Sequence, residues 1–234
     1  MRTLRQPSGR GDYACRRPMR EPTRTYRIAM ALNLPVSWWG RLEVSGVETL
    51  PASGPLLLVG NHDSHWDPVM VGVAARRRRM IRALAKSTLW DVKGLSWILD
   101  GMGQIPIVRG AGDARALANA VEALRGGSCI GVFPEGTRSK GRVMRARSGV
   151  GRLALEVPEA HVSCVAITGT ADLSGFPHRP RVTIRFFDPE GGQPRAGEDP
   201  GELSARLLAE IRALAPPAAP YRKRSATPPQ VSSQ

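Results

Sequence analysis

Residues 61–67 read Asn-His-Asp-Ser-His-Trp-Asp and combine a histidine with an aspartate in a way that suits general-base chemistry. Four residues separate His62 from Asp67, so the carboxylate can fold back and accept the proton on Nδ1, which leaves Nε2 free as a base. The alternative is that Asp67 only caps a helix and His62 is an ordinary loop residue. Ser64 lacks the Gly-x-Ser-x-Gly context of a nucleophile elbow, which argues against a serine hydrolase.

A second polar segment, residues 133–139, reads Phe-Pro-Glu-Gly-Thr-Arg-Ser. Arg138 suits bidentate binding of a phosphate, Gly136 permits a close approach of the backbone, and Thr137 can donate a further hydrogen bond. Glu135 can accept a hydrogen bond from a ligand hydroxyl or hold Arg138 in place. The alternative is a polar turn that contains an ordinary Glu–Arg pair.

The third segment, residues 103–109, ends an apolar run with Arg109. One arginine after a strand is weak evidence on its own. If the three segments lie side by side, however, they place a general base next to a site for a phosphate-sized anion.

Short apolar runs bounded by Gly, Pro or Asn predict buried strands. They lie at residues 56–59, 105–108, 129–133, 162–167 and 182–187, the last with alternating polarity. Pro106 places its strand near a sheet edge, because proline cannot donate to a neighbouring strand. Open α/β sheets bind ligands at the carboxyl ends of their strands, and His62 follows such an end.

Helical patterns fill the gaps between these strands. Asp67 is predicted as the N-cap of one helix with Pro68 at its first position, and Asp113 as the N-cap of another. The last helix carries an apolar stripe that ends before Pro216; the stripe is Leu203, Leu207, Ile211 and Leu214. Strands alternating with helices predict an α/β fold, a single domain with a central mixed, largely parallel β-sheet flanked by helices.

The net charge of +14 is concentrated near the two ends of the chain. Residues 1–27 carry eight arginines and two acidic residues, and residues 216–234 carry three basic residues and no acid. Their composition predicts disordered tails on either side of a domain at residues 28–215. Such tails favour loose attraction to anionic surfaces over a dedicated nucleic-acid role. A further basic run at residues 76–79 is predicted to be a solvated helix end.

The apolar segments are too short to predict a membrane span. The longest, residues 28–40, is interrupted by Asn33 and Pro35 and falls short of the ~20 residues that a spanning helix needs. The N-terminal region also lacks the apolar core of a secretory signal. We therefore expect a cytoplasmic protein that is peripheral on the inner face of the plasma membrane. Trp38 and Trp39 either dip into that interface or pack on the core.

Cys15, Cys129 and Cys164 have no metal-ligand spacing, and the last two lie in apolar runs. They are predicted to be reduced, and the sequence predicts no metal site.

Taken in their order along the chain, the three segments resemble the sequence blocks of the glycerophospholipid acyltransferase family, the 1-acylglycerol-3-phosphate acyltransferases. The blocks are Asn-His-x-Ser-x-x-Asp, Gly-x-x-x-x-x-Arg and Phe-Pro-Glu-Gly-Thr-Arg-Ser, and all three are intact here. The segment around Lys86 is also similar, and the resemblance covers about residues 40–170. One departure is Cys164, which stands at the proline position of a fourth block and bears on the choice of acyl chain or donor.

The resemblance implies a glycerolipid-acyltransferase-like fold and transfer of a fatty acyl group from acyl-CoA or acyl carrier protein to a lysophospholipid hydroxyl. The acceptor it favours is 1-acylglycerol-3-phosphate, which would give phosphatidic acid. His62, oriented by Asp67, would be the general base, and the acceptor phosphate would bind Arg109 and Arg138, with Lys86 as a third cation. The remaining pocket residues would be Glu135, Gly136 and Thr137. The resemblance implies no metal and no cofactor besides the acyl donor.

Three other functions remain open at this stage. The acceptor can be another lysophospholipid, a glycolipid or an amino-lipid, because the motifs specify the transfer better than the substrate. A non-catalytic basic module that binds membrane or nucleic acid would not depend on His62. A Ser64 hydrolase would form a covalent acyl-enzyme.

Overall fold

The computed structural model describes residues 23–108, 114–175 and 177–218. The helices are α1 (Arg24–Leu32), α2 (Leu34–Trp39), α3 (Asp67–Ala75), α4 (Leu95–Gly101), α5 (Ala114–Arg125), α6 (Gly149–Glu156) and α7 (Pro200–Leu214). The strands are β1 (Glu43–Ser45), β2 (Leu56–Gly60), β3 (Ile81–Lys86), β4 (Ile105–Ile107), β5 (Cys129–Val132), β6 (His161–Thr168) and β7 (Thr183–Phe187). Short 3-10 helices occupy Val47–Thr49, Ser87–Asp91 and Thr170–Asp172.

The strands form one sheet in the order β1-β7-β6-β2-β5-β3-β4. Neighbouring strands run parallel, apart from β6 and β7, which are antiparallel. The predicted α/β class and the mixed, largely parallel sheet are confirmed. The strand that contains Pro106 lies at an edge of the sheet, as its missing N–H group requires.

Apolar side chains fill both faces of the sheet. Along β2 the side chains alternate: Leu57 and Val59 face the helices α5, α6 and α7, whereas Leu56 and Leu58 face α1 and α3. All four are almost completely buried. This two-sided burial explains why β2 reads as a continuous apolar run rather than an alternating one.

The central strands β2, β5 and β3 are mutually parallel, so the loops that follow them meet at the same edge of the sheet. The loop after β2 carries His62, and the loop after β5 carries Glu135. Sheet topology therefore brings the segment of residues 61–67 and the segment of residues 133–139 together.

Helix α3 begins at Asp67 itself, and the residue at its N-cap is Trp66. The expectation that Asp67 is the N-cap is wrong by one position. The physical reason is that its carboxylate bonds backward, to the N–H groups of Asp63 and Ser64, instead of forward to the first turn of the helix.

The ordered domain begins earlier than the predicted boundary at residue 28. Helix α1 starts at Arg24, and Thr23 caps it by accepting a hydrogen bond from the backbone N–H of Tyr26. Tyr26 is buried in the core, which anchors this helix. Residues 1–22 and 219–234 lie outside the described residues, so the two disordered tails stay a prediction. At the other end of the domain, α7 ends at Leu214, close to the predicted boundary at residue 215.

The basic run after α3 is only in part the solvated helix end that was expected, because Arg77 and Arg78 are exposed but Arg79 is buried. Arg78 donates to the carbonyl of Leu50, and Arg79, which is buried, donates to the carbonyls of Gly54 and Gly127. These arginines therefore tie together loops at the amino ends of the strands, remote from the carboxyl ends where His62 lies.

Candidate active site

His62 and Asp67 form the predicted pair. Nδ1 of His62 lies 2.9 Å from Oδ2 of Asp67, and both side chains are buried. The carboxylate accepts the proton on Nδ1, so Nε2 is the acceptor nitrogen of the neutral ring. His62 lines a cavity, which puts a candidate base within reach of a ligand there.

Four donors converge on the carboxylate of Asp67. Besides His62, Oδ2 accepts the backbone N–H groups of Asp63 (2.7 Å) and Ser64 (2.8 Å), and Oδ1 accepts the hydroxyl of Thr170. Thr170 follows β6, the other neighbour of β2, and sequence reasoning did not find it. Its position after a strand end is the only signal that the sequence held. These four hydrogen bonds fix the position of the carboxylate relative to the imidazole.

The ring of Phe133 stacks on the imidazole of His62. Their centroids are 4.4 Å apart, and the two planes differ by 12°. Phe133 directly follows β5, so the apolar residue that opens the second segment packs against the histidine of the first. The imidazole is therefore fixed by a hydrogen bond at one edge and by packing on one face.

Ser64 is a structural residue of this loop. Its hydroxyl donates to the carbonyl of Thr170 and accepts the backbone N–H of Trp66. These contacts agree with the sequence context of Ser64, which argues against a serine hydrolase. They give no support to a nucleophilic role.

Glu135 does not pair with Arg138. Its side chain is fully buried, and Oε2 accepts the backbone N–H of His62 at 2.6 Å. Oε1 accepts from Arg212, with Nε at 3.0 Å. Burial raises the pKa of Glu135, and the hydrogen bonds from Arg212 oppose that rise. Glu135 therefore does not hold Arg138, because a buried carboxylate needs its own cation and donors. Its contact with the substrate stays a prediction.

Two further residues complete this buried cluster, and sequence reasoning missed both. Asp63 forms a bidentate ion pair with Arg212, with both N···O distances at 2.9 Å, and also accepts the hydroxyl of Ser139. Arg212 lies in the last turn of α7, within an apolar helix, where an arginine reads as a favourable C-terminal charge. No pattern in the sequence connects it to Asp63.

The stretch after Glu135 is rich in unpaired positive charge. We call residues 136–148 the cation loop; it contains Arg138, Lys140, Arg142, Arg145 and Arg147. None of these side chains has an ionic or hydrogen-bonding partner within the described part of the chain. Arg138 is half-buried, and Arg147 lines the same cavity as His62.

Gly136 adopts a left-handed backbone conformation with φ of +67°. A Cβ atom at this position would lie 2.7 Å from the side chain of Arg147. Glycine is thus needed both for the turn and for the close approach of that arginine. Gly136 and Thr137 line the cavity with His62, so these predicted site residues are brought together.

The three predicted cations are not shown to join them. Arg138 is not among the described residues that line the cavity. Lys86 is exposed at the end of β3, in register with Ile107 of β4, and is not among the described residues that line the cavity. Arg109 lies outside the described residues.

The cavity has a volume of about 580 Å³. Its polar mouth holds His62, Thr137 and Arg147. Its wall is largely apolar and includes Leu84, Ile107, Leu117, Val132, Val150 and Leu153. A base at the mouth of an apolar chamber suits a substrate with a reactive polar end and a long apolar body.

Cys164 lies away from this chamber. It is buried in β6 opposite Val59, and burial raises the pKa of its thiol to about 12. It belongs to the core next to α7 and is not among the described residues of the cavity wall.

Comparison with known proteins identifies the protein family to which this fold and this site belong. A family model described as Acyltransferase matches residues 41–168, more than half of the chain, and the chain belongs to this family. The resemblance inferred from the three sequence blocks is confirmed.

Individual relatives carry related names. The chain is 31% identical over 119 residues to a 1-acyl-sn-glycerol-3-phosphate acyltransferase of Borreliella burgdorferi, covering 49% of this chain and 47% of that protein. It is 28% identical over 196 residues to a lyso-ornithine lipid O-acyltransferase of Pseudomonas aeruginosa, covering 74% of this chain and 72% of that protein. The alignments span about half or less of the length of the first three curated relatives.

A solved structure shares the fold. The 1-acyl-sn-glycerophosphate acyltransferase PlsC from Thermotoga maritima superposes with a TM-score of 0.65 at 22% identity. The match covers 81% of this chain and 79% of that protein.

Proposed function

We propose that the protein transfers a fatty acyl group from acyl-CoA or acyl carrier protein to the free hydroxyl of a lysophospholipid. The acceptor we favour is 1-acylglycerol-3-phosphate, whose acylation gives phosphatidic acid. The observation that carries the proposal is the 2.9 Å pair of His62 and Asp67 at the mouth of the apolar cavity. Family membership supports the same reaction class.

In this proposal Nε2 of His62 accepts the proton of the acceptor hydroxyl as the hydroxyl oxygen attacks the thioester carbonyl. A C–O bond forms, the C–S bond breaks, and the proton passes from the imidazolium to the leaving thiolate. Asp67 stabilises the imidazolium between these two transfers. Direct transfer fits the contacts of Ser64, whose hydroxyl already donates to the carbonyl of Thr170.

The cations at the mouth would bind the acceptor phosphate. Arg138 and Arg109 are the sequence-based candidates, with Lys86 as a third, and Arg147 joins them because it lines the cavity beside His62. An arginine binds phosphate well only if no carboxylate already occupies its guanidinium group. The cation loop meets this condition.

The apolar wall would hold the acyl chain. The wall residues come from β3, β4, β5, α5 and α6, so the chamber lies between the sheet and the helices of one face. An alkyl chain placed there leaves its carbonyl end at the polar mouth, next to the base.

An exposed apolar face at α1, α2 and α4 supports binding at an anionic membrane, on the inner face of the plasma membrane. Trp38 is 72% exposed and Trp97 is 72% exposed, whereas Trp39 packs partly on the core. Smaller exposed apolar residues lie in the same helices or just before α4: Ile28, Leu32, Leu34, Val92 and Ile98. Helix α1 joins α4 through a hydrogen bond from Thr23 to the carbonyl of Gly101. Tryptophan and aliphatic side chains of this kind suit the lipid interface.

Within the described ranges, no helix combines the length and the apolar composition that crossing a bilayer requires.

A second acceptor class, the lyso form of an amino-lipid, is favoured by one observation. The match to the lyso-ornithine lipid O-acyltransferase extends over 196 residues, further than the match to the phosphate-directed relative from Borreliella burgdorferi. Such an acceptor would make less use of the cation loop, since its head group is not a phosphate.

The test is a transfer assay with the purified protein, using acyl-CoA and acyl carrier protein as donors. The acceptors are 1-acylglycerol-3-phosphate, other lysophospholipids, a lysoglycolipid and lyso-ornithine lipid. We expect the highest kcat/KM with 1-acylglycerol-3-phosphate. A higher value with lyso-ornithine lipid would select the second acceptor class, and no transfer to any acceptor would refute the enzyme assignment.

A further inference from the structure

The side chain of Arg212 extends from α7 to the loops at the mouth of the cavity. Its guanidinium group contacts Asp63 through two hydrogen bonds of 2.9 Å and Glu135 through Nε at 3.0 Å and through Nη2. The side chain is 13% exposed, and its Nη1 also donates to the carbonyl of Ala215. The donors that face the two loops are therefore fully used.

Each carboxylate that Arg212 binds holds a different part of the site. Asp63 directly follows His62, and Glu135 accepts the backbone N–H of His62 and opens the turn that leads to Arg138. The hydroxyl of Ser139 also donates to Asp63, and its backbone N–H donates to the carbonyl of His62 at 2.7 Å. One guanidinium group thus links the loop of the base to the turn of the proposed phosphate site.

The two carboxylates need a shared cation. Their side chains are 4% and 0% exposed, and the negative charge of Asp63 itself contributes to raising the pKa of Glu135. Because Asp63 and Glu135 are both buried, their carboxyl groups ionise together only if a nearby positive charge compensates them. Other titratable groups around them are His62 and Asp67, on the same loop as Asp63.

We propose that Arg212 is a positioning residue for the acyl transfer, which sets the loop of His62 in register with the Gly136–Arg138 turn. This inference rests on the proposed function and concerns the same site. It assigns to the C-terminal helix, beyond residues 41–168 of the family match, a direct part in building that site.

The test compares Arg212→Met and Arg212→Lys with a matched control, Arg206→Met. Arg206 lies on the same helix and also forms ion pairs, with Glu198 and Glu210, but it does not contact the site loops. We expect kcat of Arg212→Met to fall by roughly 10²-fold, the cost of a small misplacement of reacting groups, with a smaller change in KM. Lysine restores the charge but not the bidentate fork, so Arg212→Lys should retain an intermediate kcat. Arg206→Met should keep the wild-type kcat.

The pH profile separates positioning from simple loss of stability. Removing Arg212 removes the hydrogen bonds that oppose the rise in the pKa of Glu135, so in Arg212→Met this buried carboxyl is neutral at low pH. As pH rises it ionises beside Asp63, and repulsion separates the two loops. We therefore expect a new loss of kcat on the alkaline side, which the wild type lacks. Adding Asp63→Asn to Arg212→Met removes the repulsion and should abolish that alkaline loss.

A readout independent of turnover keeps this inference distinct from the proposed function. The NMR signals of the His62 imidazole and backbone amide should shift in folded Arg212→Met and Arg212→Lys and stay in place in Arg206→Met. If Arg212→Met does not fold, Arg212→Lys and the double variant give the same comparison. Unshifted His62 signals, or a kcat within about twofold of wild type in folded Arg212→Met or Arg212→Lys, would overturn the assignment of Arg212, whatever acceptor the enzyme uses.

Discussion

The two loops at the mouth of the cavity differ in how many of their polar groups are already paired. Residues 61–67, the loop and the first residue of α3, are largely buried, and their carboxylates, amides and imidazole bond to one another and to Thr170, Glu135 and Arg212. The cation loop is largely exposed, and its five basic side chains have no partner in the described part of the chain. The polar groups of the His62 loop are largely paired within the protein, whereas the cation loop presents positive charge that an anionic ligand can neutralise.

This difference follows from what each loop has to do. A general base works only if its tautomer and orientation are set before the substrate arrives, so its hydrogen bonds must come from the protein. A phosphate site works in the opposite way, because a cation already paired with a carboxylate has little left to offer an anion. Substitutions in the two loops should therefore affect different kinetic constants.

Removal of the base should have the strongest consequence. His62→Ala should lower kcat by at least about 10²-fold, because a positioned general base contributes 10²–10⁴-fold. Asp67→Asn should cause a loss of the same order, since an amide does not stabilise the imidazolium. The measurement is single-acceptor kinetics on protein whose fold is checked by circular dichroism. Ser64→Ala is the control and should remain active; wild-type activity in His62→Ala would contradict the proposed mechanism.

Removal of a cation should act on binding instead. Arg138→Met should raise KM for 1-acylglycerol-3-phosphate by about 10- to 10²-fold, because a hydrogen bond to a charged group contributes roughly 1.5–3 kcal/mol. The value of kcat should change less.

The matched control for this substitution is Arg142→Met, in the same loop but exposed, whereas Arg138 is half-buried. Its KM should stay near that of the wild type. A phosphate-free acceptor supplies a second control, since its KM should respond to neither substitution. Equal effects of Arg138→Met on phosphorylated and phosphate-free acceptors would exclude a phosphate contact.

The apolar face at α1, α2 and α4 should contribute to membrane binding independently of the two loops. Trp38→Ala should weaken binding to vesicles of anionic phospholipid by about 10- to 10²-fold, as burial of a large apolar side chain contributes roughly 1.5–3 kcal/mol. Sedimentation with vesicles measures the effect, with Val44→Ser as a control at an exposed apolar residue of β1. Turnover of a soluble short-chain acceptor should stay unchanged in both variants. Unaltered sedimentation of Trp38→Ala would rule out this face as the lipid contact.

The mildest substitution tests how redundant the paired loop is. Thr170→Val removes one of the four donors to Asp67 while keeping the shape of the side chain. We expect a loss of about 1–3 kcal/mol in the free energy of unfolding, measured by urea denaturation, because a buried acceptor loses its donor. The change in kcat should be only a few-fold, because the other three donors remain. Thr137→Val, at an exposed position of the cation loop, should leave the stability unaltered.

Much of the fold was predictable because it depends on local pattern. The apolar runs at 56–59 and 162–167 became the central strands β2 and β6, and Pro106 marked an edge strand. The pairing of His62 with Asp67 was predictable for the same reason, since a short loop brings the two together. Where local pattern was less decisive, as at the N-cap of α3, the predicted position was displaced by one residue.

The sequence by itself determined the pairing of His62 with Asp67 and the class of sheet that presents them, because motif spacing and hydrophobic period are local properties of the chain. Only the tertiary structure decided how the polar groups pair. Asp63 and Arg212 are 149 residues apart, and no local rule joins them. Glu135 took Arg212 as its partner rather than nearby Arg138, because burial of a carboxylate requires a cation that enters the same buried space. Arg138 was thereby left without a partner among the described residues, as the proposed phosphate contact requires.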